Sequence, residues 1–143
     1  MGFVTDVRTG AYQQLQALQT ALGSSVLAEV RKYRPESYAL GGPFAFVDAF
    51  RGAIQQTTRL RSYAGSEVDL VFILPKADNA EWQDRADVLV DALLASWPVD
   101  GHFVENAVGE PVRVRTAEDT DANGISFPAV IVTIGRIAHL EAR

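Results

Sequence analysis

Carboxylates are the residues of this chain most able to do chemistry. Asp48, Glu67 and Asp69 fall in segments that read as strands, and three strand carboxylates brought together can hold a divalent metal, as in a small metal-dependent nuclease. No lysine or histidine accompanies them at a telling spacing, so Glu67 and Asp69 read more simply as the wet face of a hairpin. Glu118, Asp119, Asp121, Asn123 and Gly124 resemble a calcium loop at first sight. Counted from Asp119, the sixth residue is Gly124 as an EF-hand requires, but the twelfth is Val130, in an apolar strand, where the bidentate glutamate should stand. A solvated hairpin loop fits this segment better. His102 and His139 are the two histidines, and neither has a serine or cysteine partner in a nucleophile motif. Arg31, Lys32 and Arg34 surround Tyr33 in the densest basic cluster, and Arg59 and Arg61 follow at alternate positions. A basic and aromatic cluster can touch nucleic acid, but a solvated strand end or a subunit contact suits an acidic protein better.

The chain has 143 residues, a formal charge of −5 and no cysteine. That length fits a single domain spanning residues 1–143, with enough apolar residues for a real core. Without cysteine there can be no disulfide framework, thiolate metal site or thiol nucleophile. The glycines form neither a Walker loop nor a dinucleotide fingerprint. Acids gather in the second half: residues 1–71 carry seven basic and six acidic side chains, residues 72–143 six and twelve. A phosphate-clamping protein usually shows a basic patch instead. The first residues lack the pattern of a signal peptide, Asp6 breaks a myristoylation motif, and the longest apolar run, residues 70–75, is far too short to span a bilayer. The expectation is a chain made in a cytoplasm.

The elements that must position these residues follow from periodicity. Val7, Ala11, Leu15, Leu18 and Leu22 make one apolar stripe of a helix over residues 6–22, with Gln13, Gln14, Gln16 and Gln19 on its other faces and Gly23 as its stop. A short strand over 26–32, a turn-rich loop over 33–43 and a strand over 44–50 come next. Residues 53–63 and 67–74 read as a hairpin turning at Ala64, Gly65 and Ser66. A second helix over 79–97 shows the stripe Trp82, Ala86, Leu89, Leu93, Trp97, widened by Val90 and Leu94. Asp78, Glu81 and Asp84 stand at its electropositive start. Strands over 102–105, 111–116 and 127–138 close the chain. Strands joined by tight turns predict an α+β fold, an antiparallel or mixed sheet with two amphipathic helices packed on one face.

Taken together, the leading helix, Tyr33-Arg-Pro-Glu-Ser37, Pro43-Phe-Ala-Phe-Val47, the hairpin ending in Val68-Asp-Leu-Val-Phe-Ile-Leu-Pro75, the acidic helix and Phe127-Pro-Ala-Val-Ile-Val-Thr-Ile134 resemble the tail terminator (minor tail) proteins of long-tailed bacteriophages and related gene transfer agents. The resemblance covers nearly the whole chain. It implies a fold like that of tail-tube subunits, no enzymatic activity and no cofactor. It further implies a virion protein forming a hexameric ring that caps the head-proximal end of the tail tube. The implied partners are further copies of the chain, the major tail tube protein and the head connector or head-completion protein. DNA would pass through the lumen without specific binding, and no membrane is involved. Another neck component, a head-completion or connector protein, is the nearest alternative, and the metal-dependent nuclease is a more distant one.

Within that frame the hairpin and the 33–43 loop are the expected ring and tube contacts, because both are long for a small domain and both mix apolar with charged residues. Arg59 and Arg61 would face Glu67 and Asp69 across the turn, with Tyr33 and Arg34 contributing from the loop.

Overall fold

The computed structural model describes residues 3–39, 41–57, 60–75, 79–96, 112–135 and 140–142, with side chains there except at 3–4, 6, 52–57, 60–66, 79, 135 and 140–142. The elements run α1 (Phe3–Leu22), β1 (Glu29–Arg31), β2 (Phe44–Val47), β3 (Arg51–Thr57), β4 (Leu60–Ile73), α2 (Asn79–Ser96), β5 (Arg113–Thr120), β6 (Ser126–Gly135) and β7 (Leu140–Ala142). The predicted strand over 102–105, together with Trp97, Asp78, His102 and His139, lies outside the described residues.

One mixed sheet has the order β1-β2-β4-β6-β5, with β3 and β7 also paired to β4. Among the described residues only β1 and β2 run parallel, and the other pairings are antiparallel. β4 is the axis. Its second half pairs β2 on one side and β6 on the other, and its first half pairs β3 and β7 in the same arrangement.

Alternation along these strands sorts the core into two layers. Val68, Leu70, Phe72 and Leu74 of the β4 segment join Ala45, Val47, Val130, Val132 and Ile134 beneath both helices. α1 contributes Val7, Ala11, Leu15 and Leu18 to this layer, and α2 contributes Ala86, Leu89 and Leu93. The fold is therefore α+β with both helices on one face, as the periodicity predicts. The opposite face packs Phe44, Phe46, Val71, Ile73, Phe127, Ala129 and Ile131 under Tyr38. Burial on both sides explains why the chain from Leu70 to Leu74 is apolar without a break.

α1 ends where Gly23 adopts φ 86° and donates its N–H to the Gln19 carbonyl at 3.0 Å, a left-handed C-cap that a side chain would strain. Arg8 then ties α1 to the sheet. Its Nη1 donates to the carbonyls of Lys32 (2.7 Å) and Val47 (3.0 Å), and its guanidinium lies 4.8 Å from the centre of the Tyr33 ring.

Several expectations need correction. The hairpin does not turn at Ala64, Gly65 and Ser66: β4 runs straight through them, and the reversal falls between Thr57 and Leu60. Pairing steps from Arg51–Glu67 to Ala53–Ala64, so two residues of β4, Gly65 and Ser66, oppose Gly52 alone. The glycine marks a β-bulge, the other reason a glycine interrupts a strand pattern. Gln14 does not cover an outer face but is fully buried, because it sits one position from Leu15 and a full turn from Leu18. Leu94 does not widen the α2 stripe; it is 65% exposed. β1 and β2 are shorter than expected, since the chain leaves the sheet at Lys32 and Asp48. β5 extends through Thr120, so the acidic loop is reduced to residues 121–125, and β7 was not expected.

Candidate functional site

Beyond Tyr38, the helix-free face of the sheet turns polar, and two arginine–carboxylate clusters lie there. The first joins the 33–43 loop to the sheet. Arg34 reaches Asp48 and Asp119, each at 3.1 Å, and donates to the Tyr38 hydroxyl, which in turn donates to Asp119 at 2.7 Å. The Arg34 guanidinium also lies 5.0 Å from the centre of the Phe46 ring. Burial and then the hydrogen bond to Asp119 push the Tyr38 hydroxyl well above its ordinary range, so it stays a neutral donor. Burial opposes the charge on Arg34, but Asp48 and Asp119 outweigh it and raise its pKa.

The second cluster clamps the start of β3 onto β4. Arg51 meets Asp69 through Nη1 (2.7 Å) and Nη2 (3.2 Å), and its Nη2 also meets Glu67 at 2.8 Å. Arg113 joins Glu67 from β5 at 3.1 Å, and the Thr133 hydroxyl donates to Asp69 at 2.7 Å. Asp69 itself is buried, with a side chain only 5% exposed. Burial pushes its carboxyl up, yet hydrogen bonds from Arg51 and Thr133 and the charges of Arg51 and Arg115 win and hold it below its ordinary value. A backbone bond from the Asp48 N–H to the Asp69 carbonyl, 2.9 Å, connects the two clusters.

This arrangement differs from the one read in the sequence. Glu67 and Asp69 do not face Arg59 and Arg61 across a turn. Arg61 stands on the same strand as both acids, in register with Gln56 and Glu141, and Arg59 lies outside the described residues. Their cation is Arg51, which sequence reasoning missed because only the true register brings it opposite Glu67. Asp69, being buried, cannot present its carboxylate to a neighbour. The three candidate nuclease carboxylates are divided between two guanidinium groups, Asp48 to Arg34 and the others to Arg51. Among the described residues no group of three or more histidines and carboxylates is placed to hold a metal.

The loop of residues 121–125 is likewise built inward. Asp121 is buried, and its carboxylate accepts the N–H groups of Asn123 and Ile125 (both 3.0 Å) and of Tyr38 (3.1 Å). It pins the 33–43 loop across the sheet, assisted by the Ala122 N–H bonding the Glu36 carbonyl at 2.9 Å. What reads as a calcium loop is the anchor of the Tyr38 cover.

The outward surface of the domain has a different character. On α2, Asp84, Asp87, Val88, Asp91 and Leu94 are all exposed. A groove runs between α2 and β5, lined by Val90, Leu94 and Val114 together with Asp87, Asp91 and Arg115. Tyr33, one of the expected contact residues, is 63% exposed at the far edge of the sheet, while Arg34 beside it is committed to its two aspartates. In the two clusters described above every carboxylate is held by a guanidinium group.

Comparison with models of known protein families and with curated protein sequences gives no match.

Proposed function

We propose that this chain is a tail terminator of the long-tailed phage type: a structural protein that assembles as a ring on the head-proximal end of the tail tube, ends tube growth and joins the tail to the head connector. The observation that carries the reading is the β3–β4 hairpin. β4 is 14 residues long, and its pairing continues well beyond the segment that β2 covers. Residues 60–67 pair with β3, and residues 60–62 also with β7, so the first half of the longest described strand carries a three-stranded arm. An arm of that size suits a subunit that completes its packing against neighbours. The match between the α+β layout and the resemblance drawn from residues 33–47, 68–75 and 127–134 supports the same reading.

Negative-stain microscopy of the purified protein should show six-fold rings, and complementation of a terminator-deficient phage should restore tails of normal length. Arg59→Glu with Arg61→Glu should leave circular dichroism unchanged and give tails of uncontrolled length. Binding to preformed tail tubes separates this function from that of a head-completion protein, which would bind the portal side alone. A protein that neither forms rings nor binds tubes would overturn the proposal.

A further inference from the structure

The two ends of the sheet are chemically complementary. β1 and β5 are the terminal strands of the order β1-β2-β4-β6-β5. At the β1 end, Tyr33 projects into solvent with Arg8 over its ring; Arg31 is paired with Glu29 at 2.8 Å, and the Lys32 ammonium has no ion-pair partner among the described residues. At the β5 end lies the groove carrying Leu94, Val90 and Val114, with Asp87, Asp91 and Arg115. Neither of these aspartates, nor Asp84 further along α2, has an ion-pair partner among the described residues. Tyr33 and Leu94 are the two most exposed large apolar side chains of the described residues, at 63% and 65%.

From this geometry we infer that the groove between α2 and β5 receives the Tyr33 corner of a second copy of this chain. An aromatic ring beside cations matches an aliphatic groove whose two acids, Asp87 and Asp91, outnumber its one cation, Arg115, and tyrosine is among the residues that anchor interfaces best. Tyr33 and Leu94 are both largely exposed, so neither surface covers the other within a chain. A contact between unlike patches is head-to-tail, and it propagates from copy to copy until the rotation closes a ring. The unpaired charges set the partner and the register, while Leu94 and Tyr33 supply the buried contact. The inference deepens the ring reading above and rests on it, naming the joint between adjacent subunits.

A mixing experiment tests the joint. Leu94→Arg spoils the groove and leaves the Tyr33 corner intact; Tyr33→Ala does the reverse. Both side chains are exposed, so circular dichroism should match the wild type. In sedimentation velocity each variant alone should run as a monomer where the wild type is assembled. A 1:1 mixture should form a dimer and nothing larger, because each mixed pair has one competent joint. Asp91→Lys mixed with Lys32→Glu should instead assemble as the wild type does, because both mixed joints then carry opposite charges, and raising the salt should weaken the wild-type assembly. If either variant alone forms wild-type rings, or the mixture stays monomeric, the joint is wrong while the ring reading stands. Open chains of the wild type that both variants disrupt would uphold the joint and overturn the ring. A wild type that stays monomeric at every concentration would overturn this inference outright.

Discussion

Replacing Gln14 by methionine should make the protein more stable. Gln14 is 0% exposed on α1, and neither its amide nitrogen nor its amide oxygen has a hydrogen-bond partner among the described residues. A buried donor or acceptor left without a partner costs about 1–3 kcal/mol relative to solvation in the unfolded chain. Methionine has nearly the same length and volume, equal helix propensity, and a flexible thioether that fits an irregular gap. The substitution therefore removes the penalty without opening a cavity or straining the helix. A gain of about 1–3 kcal/mol is expected, which for a domain of this size raises the melting temperature by about 4 °C per kcal/mol. Urea unfolding reads the gain as a higher midpoint at unchanged slope. Gln13→Met, on the exposed side of the same turn, serves as the control and should stay within about 0.5 kcal/mol of the wild type. If Gln14→Met loses more than about 0.5 kcal/mol, the amide is hydrogen-bonded in the folded protein through an internal water, and the reasoning fails.

Leu93→Ala should cost about 2–5 kcal/mol, since Leu93 is 2% exposed beneath α2; a loss on the scale of a surface substitution in the same urea assay would misplace the helix. Thr133→Val removes a near-isosteric hydroxyl that bonds the Asp69 carboxylate, and should cost about 1.5–3 kcal/mol at neutral pH. Because the folded pKa of Asp69 is lowered from 3.8, its stabilisation is full above that value and is lost as pH falls through and below about 4. Asp69→Asn should accordingly flatten the acid limb of the stability–pH curve, and an unchanged limb would show that Asp69 is not the group titrating there. Tyr38 has the opposite sign: its raised pKa gives stability that is full below about pH 10 and falls as pH rises through the folded value. In an ultraviolet titration at alkaline pH, Tyr38→Phe should remove the last tyrosinate to form; loss of an earlier one would contradict the Asp119 bond.

The layers of this fold could be read from residues alone, because a buried stripe repeats. Val7, Ala11, Leu15 and Leu18, and Ala86, Leu89 and Leu93, lie where their spacing puts them, and Val71 and Ile73 are buried as the second apolar face of their strand. The errors arose where one residue type serves two backbone roles. Gly65 marks a bulge and was legible only as a turn, and once the turn moved, every cross-strand charge pairing moved with it. Arg51 carries no local mark: it matters because its register sets it opposite Glu67, which is a property of the assembled sheet. Asp121 misleads for a related reason, since an acid that caps its own loop has the same sequence neighbourhood as one that binds an ion. The chemistry of the outer surface was half legible. Tyr33 and its basic neighbours stood out, but Leu94 was indistinguishable from a core residue until α2 was oriented.

The central position of β4 also sets a timetable for synthesis. Its second half pairs β6, which lies about sixty residues further along the chain, so the ribosome must deliver most of the protein before that side of the strand is satisfied. Until then α1 and β1 to β4 can gather, but an apolar run from Leu70 to Leu74 keeps an open flank. Pairings this distant are entropically slow to close, and they place folding at the millisecond-to-second end of the range. The nascent chain is therefore most prone to aggregate late in translation, when β4 has emerged and β6 has not.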